Sequence, residues 1–152
     1  MVRLPYPAIL ARPAKSSVPA SSPIIILDAG PLAAAVDRLD AHNLWATAEM
    51  LRRSGPFIVT SAAVAEATHL FRNQGPALDR LRELVERMQV EDPAPVKVLE
   101  LMRRYTPEMD YADACAVLLA RRHKGAVVLT TDHRDFSVYR VPFVSPKGEF
   151  HG

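Results

Sequence analysis

Short, unbroken apolar runs alternate along this chain with longer stretches in which apolar positions recur every three or four residues. The runs at 24–27, 57–60 and 126–129 are too short for helices and are rich in Ile, Val and Leu, so they predict strands. The first reads as a strand buried on both faces, and weaker strands are expected at 89–91 and within 138–144, around Pro142. Between them, helical spacing and end signals predict six helices. Pro31 opens one over 31–36, Asp40 caps one over 41–53, and Ser61 caps one reaching 73. Pro76 starts one over 76–87 whose Leu78, Leu81, Leu84, Val85 and Met88 form an apolar stripe. A helix over 95–105 ends before Thr106-Pro107, and Asp110 caps the last one, running to 123 before Gly125.

Strands alternating with helices imply an α/β fold, a three-layer α/β/α arrangement around a mostly parallel sheet covered on both faces. Residues 24–146 form the expected folded domain, followed by a short flexible tail over 147–152. Residues 1–23 hold Pro5, Pro7, Pro13, Pro19 and Pro23 with four serines, a composition that supports neither helix nor central strand and predicts a disordered extension, or an upstream start codon. That segment has basic residues and no acid, as targeting sequences do, but lacks a continuous apolar core.

With 152 residues, 49% apolar and 24% charged, the chain is of single-domain size. Its longest apolar runs fall far short of the roughly 18 residues of a membrane span, so a soluble protein with no membrane association is expected. Cys115 is the one cysteine, which excludes an internal disulfide and a cysteine-built zinc site and fits a reducing cytoplasm. The net charge of +2 includes three cations and no acid from residues 1–23, so the remainder carries −1. Total charge therefore announces no nucleic-acid partner.

Four acids stand out by position. Asp28 ends the first apolar run, and Asp132 follows the 126–129 run after two threonines, so both fall where strands of an open α/β sheet meet their loops and bind ligands. Glu66 leaves the second turn of a predicted helix and Asp113 the first turn of another. Singly, each has an ordinary explanation as a turn former, an exposed helix residue or a favourable charge near a helix start. Together, four converging carboxylates would repel one another unless a cation bound them, and an oxygen-only donor set selects a hard ion, Mg²⁺ or Mn²⁺.

Ile25-Ile26-Leu27-Asp28-Ala29-Gly30-Pro31-Leu32, Val64-Ala65-Glu66-Ala67, Met109-Asp110-Tyr111-Ala112-Asp113-Ala114 and Leu129-Thr130-Thr131-Asp132-His133-Arg134-Asp135-Phe136 resemble the successive motifs of the PIN domain family, especially its VapC-type toxin nucleases, over residues 24–144. The resemblance implies an α/β/α ribonuclease with Mg²⁺ or Mn²⁺ held by Asp28, Glu66, Asp113 and Asp132, the four family acids in order. It also implies Thr130 and Asp135 as supporting residues, a homodimer, and an antitoxin as protein partner. Asp110 is read as the helix cap, leaving Asp113 to face the metal.

Arg134, beside the last acids, is the better candidate for holding RNA, with His133 next to it. The pairs Arg52-Arg53, Arg103-Arg104 and Arg121-Arg122 sit at predicted helix ends, where cations are favourable without any ligand. The apolar stripes flanking Gly75-Pro76 belong either to the core or to an interface. Two other activities remain open: a catalytically silent PIN-like module binding RNA or protein, and a phosphatase, which the lack of an Asp two residues after Asp28 disfavours.

Overall fold

The structure is a computed structural model describing residues 22–152, so the extension expected over 1–23 lies outside the described residues apart from Ser22 and Pro23. In chain order the elements are β1 (Ile25–Leu27), α1 (Ala29–Val36), α2 (Asn43–Arg52), β2 (Phe57–Val59), α3 (Ser61–Leu70), α4 (Gly75–Glu86), β3 (Gln89–Val90), α5 (Pro95–Arg104), α6 (Tyr111–Arg122), β4 (Val127–Leu129), α7 (His133–Phe136), β5 (Phe143–Ser145) and β6 (Gly148–Phe150). The strands form one sheet in the order β3-β2-β1-β4-β5-β6, parallel except for β6.

The period-2 alternation of strand side chains divides the core into two layers. Ile25, Leu27, Val59, Leu129 and Val144 point to one face and pack with α1 to α4 through Leu32, Met50, Phe71 and Leu84. Ile26, Ile58, Val128 and Phe143 point to the other and meet α5, α6 and α7 through Val98, Leu101, Val117, Leu119 and Phe136. Helices thus cover both faces, the expected three-layer architecture. None of the helices among the described residues is long and apolar enough to cross a membrane.

Several local expectations change. Thr60, not Ser61, caps α3: its backbone is extended and its hydroxyl accepts the Ala63 N–H at 3.0 Å, while the Ser61 N–H and hydroxyl both donate to Asp92 at 2.7 Å. Asp40 closes a turn by accepting the His42 N–H at 2.8 Å, and α2 begins later, at Asn43, whose amide donates to the Ala34 carbonyl at 2.7 Å and fastens α2 to α1. The flexible tail placed at 147–152 contains β6 instead. Its pairing satisfies the outer edge of β5, and Phe150 stacks on Phe143 with ring centroids 5.0 Å apart.

Candidate active site

β1 lies at the centre of the sheet, with β2 on one side and β4 on the other. The chain reverses its winding direction there, so the carboxyl ends of β1 and β4 open a crevice. Parallel register sets Leu27 opposite Leu129, which makes Asp28 and Thr130 the next neighbours along the two strands. The Thr130 hydroxyl donates to Asp28 Oδ2 at 2.7 Å, and Thr130 Oγ1 accepts the Asp132 N–H at 2.9 Å. One fully buried threonine therefore orients the first acid and the loop carrying the last.

That loop passes close to the start of α1 at Gly30, where a side chain would have to displace Thr131. A Cβ on Gly30 would collide with Thr131 Oγ1 and lie 3.1 Å from Thr131 Cβ. Rotating the threonine would relieve the first contact but not the second.

Asp110 caps α6, its Oδ1 accepting the Asp113 N–H at 2.8 Å, and this fixes the first turn from which Asp113 points. Tyr139, buried beneath it, donates its hydroxyl to Asp113 Oδ2 at 3.1 Å. Asp132 caps α7 in the same manner, its Oδ1 accepting the Asp135 N–H at 3.1 Å. The outcome is a group of three, Asp113, Asp132 and Asp135, each offering a carboxylate oxygen within 4.8 Å of the others. The side chain of Glu66, in the second turn of α3, makes no hydrogen bond among the described residues, yet its carboxylate feels the charges of Asp110, Asp28 and Asp132.

Burial and mutual repulsion act in the same direction on these acids. Burial pushes Asp28 up to about 6, against the Thr130 and Ala29 hydrogen bonds, with Asp110 and Asp132 adding to the rise. Burial, then Asp110, Asp28 and Asp132, push Glu66 up to about 7. Asp113 reaches about 8, through burial first, then Asp28 and Asp110, with the Tyr139 hydroxyl opposing. Asp135 is raised by burial and by its neighbour Asp132, with Arg134 pulling the other way. Negative charge accumulates here with no ion pair to these acids among the described residues, and every donor is oxygen. That donor set fits a hard divalent cation.

The four acids singled out in the sequence therefore influence one another through space, but the tightest group contains Asp135 in place of Asp28 and Glu66. Asp110 does more than cap a helix, since its charge acts on Asp28, Glu66, Asp113 and Asp135. Its position three residues before Asp113 gave that away only as a cap. No pattern in the sequence pointed to Tyr139. Arg134 is exposed next to Asp135. His133 is engaged in packing: its ring meets Phe150 and Phe143 edge-on, at centroid distances of 4.5 and 5.5 Å, and its Nδ1 lies 3.0 Å from Ser145 Oγ. Those contacts give it a structural task at the seam of α7, β5 and β6.

Comparison with known families matches residues 25–142 to the PIN domain. Comparison with curated protein sequences returns no match. Among solved structures, the chain is similar to the crystal structure of Mycobacterium tuberculosis VapC20, a toxin that cleaves the sarcin-ricin loop. The superposition has a TM-score of 0.58 at 20% identity and covers 68% of this chain and 86% of that one, a likeness of fold.

Proposed function

The chain belongs to the PIN domain family, and from that premise we propose that it is a metal-dependent endoribonuclease, the toxin of a toxin-antitoxin pair acting in the cytoplasm. The observation that carries this reading is the convergence of Asp28, Glu66, Asp113, Asp132 and Asp135 on one sheet edge, where burial and like charge raise Asp28, Glu66, Asp113 and Asp135 and no ion pair reaches any of the five among the described residues. Structures spend stability on such clusters where chemistry needs them.

Asp113, Asp132 and Asp135 are the residues to hold Mg²⁺ or Mn²⁺, with Asp28 and Glu66 completing the anionic wall. A divalent ion there supplies positive charge for the phosphate oxygens and acidifies a bound water. The protein's own part is positioning. Thr130 fixes Asp28 and the Asp132 loop, Tyr139 fixes Asp113, and Asp110 fixes the turn that carries it. The Glu66 side chain, free of hydrogen bonds among the described residues and raised toward neutrality, is suited to accept the proton that water releases as it attacks phosphorus. Arg134, exposed beside Asp135, would hold the RNA strand next to the acids.

Leu70, Leu78, Val96 and Leu99 leave 54%, 38%, 66% and 58% of their surface exposed, apolar area suited to a homodimer or an antitoxin segment. Purified protein should cleave RNA with Mg²⁺ or Mn²⁺ and lose that cleavage on chelation and in Asp28→Asn. Cleavage surviving in Asp28→Asn would reject the assignment. Metal-independent RNA binding without cleavage by the unaltered chain would instead establish a silent binding module.

A further inference from the structure

A cleft of about 430 Å³ opens beside the acid group, lined by Arg104 and Tyr105 at the end of α5, Glu108 in the following turn, Arg134 and Asp135 of α7, and Tyr139. It shares a wall with the site already described: Asp135 belongs to the three-carboxylate group, and Tyr139 holds Asp113. Its volume lies within the roughly 300–1,000 Å³ typical of small-ligand sites, enough for one nucleotide unit.

Ion pairing separates the chain's basic doublets. Arg52 and Arg53 are neutralised by Glu49 and Glu149, and Arg122 by Glu91. Arg103-Arg104 has no ion pair among the described residues, nor does Arg134. Arg104 and Arg134 come from opposite ends of the sequence segment and meet at one cleft. A position at a helix end explains Arg104 in isolation, but not its place on one cleft with Arg134, a second guanidinium without an ion pair within 4.0 Å among the described residues.

Resting on the ribonuclease reading, we propose that this cleft is the subsite for an unpaired nucleotide flanking the scissile phosphate. Arg104 and Arg134 clamp its backbone phosphate, and the half-buried Tyr105 ring, which meets Tyr139 edge-on at 5.3 Å, turns its remaining surface to the base. The Glu108 carboxylate accepts from an amino group on the base edge. Single-stranded RNA is the class recognised by this combination of guanidinium, aromatic ring and carboxylate, because its bases are free to splay out of a helix. The mixed charge argues against a bare phosphate, which Glu108 would repel.

The test uses the full chain in two arms, each with Arg104→Ala, Arg134→Ala and, as a matched loss of charge outside the cleft, Arg82→Ala. In the first arm, cleavage of an unstructured RNA with Mn²⁺ should show KM raised about tenfold in the two cleft variants, the loss typical of one charged hydrogen-bonding partner, while kcat changes far less. In the second, anisotropy of the same labelled RNA on the Asp28→Asn background should show the slope of log affinity against log salt reduced by about 0.7 for each cleft variant. KM and salt slope indistinguishable from Arg82→Ala in a chain that cleaves RNA would overturn the subsite and leave the nuclease reading standing. Absence of cleavage by the unaltered chain, with binding still weakened by the cleft variants, would overturn the nuclease reading and retain the subsite. Tyr105→Leu should weaken binding without altering the salt slope, and Glu108→Gln should change which base is preferred in the cleft. Tight binding unaffected by any of these four changes would place the RNA elsewhere.

Discussion

Glu49 and Glu149 meet Arg52 and Arg53 at 3.0–3.2 Å, where the end of α2 approaches β6, while Asp28, Glu66, Asp113, Asp132 and Asp135 crowd together at the sheet's carboxyl edge with no guanidinium bonded to any of them among the described residues. In the first region each carboxylate has opposite charge beside it, and Glu149 is held below the usual range by hydrogen bonds from Arg52 and Arg53. In the second, burial and like charge raise Asp28, Glu66, Asp113 and Asp135. The same functional group is ion-paired in one place and crowded among its own kind in the other. What separates them is whether an ion pair lies beside the carboxylate among the described residues.

The contrast is broken most forcefully by removing charge from the acid edge. Asp113→Asn should reduce RNA cleavage by about a thousandfold or more, because it deletes a carboxylate from the tightest group. An activity within tenfold of the unaltered chain, measured at saturating Mn²⁺, would remove Asp113 from the site. Gly30→Ala should come next, with a loss of roughly ten- to a hundredfold in kcat/KM, since the added methyl group pushes Thr131 and with it the Asp132 loop. Unchanged kinetics there would mean that the loop yields without moving the acid.

Stability against pH sharpens the same comparison on a smaller scale. Asp28, Glu66 and Asp113 have folded-state values raised to about 6, 7 and 8, above the roughly 4 of an unfolded carboxyl. The folded chain thus binds protons that the unfolded chain has released. The contribution of these groups is fully present below about pH 4 and is lost as pH rises toward about 8. Metal-free protein should melt lower at pH 8 than at pH 6, Mn²⁺ should restore it, and Asp113→Asn should raise the metal-free Tm at pH 8 by roughly 2–8 °C. A fall in Tm for that variant would show the carboxylate to be structurally stabilising. The smallest effect belongs to the paired region. Glu49→Gln should destabilise by about 1 kcal/mol or less by chemical denaturation and leave cleavage untouched.

Much of the architecture was legible in local pattern. Strands 24–27, 57–60 and 126–129, the parallel sheet and Asp110 as a cap all follow from apolar run length and end signals acting over a few residues. Boundaries were less legible where two neighbouring residues compete for one task. Thr60 and Ser61 can both cap a helix, and the choice fell to Thr60 because Asp92, distant in sequence, takes up the Ser61 hydroxyl. β6 was hidden for a similar reason: Gly148-Glu149-Phe150 has no strand signal of its own and pairs because β5 presents an open edge and Phe143 a ring to stack on.

The sequence by itself determined which residues could do the chemistry, because acids at strand ends and helix starts are placed by short-range rules. The tertiary structure alone decided which oxygens meet. It brought Asp135 into the tight group with Asp113 and Asp132, extended the reach of Asp110 beyond its cap, set Tyr139 under Asp113, drew His133 into an aromatic seam, and left Arg104 beside Arg134 without a partner among the described residues. Distances between side chains depend on strand register and helix packing over the whole domain, and burial, which raises these carboxyl groups, exists only once the chain has folded.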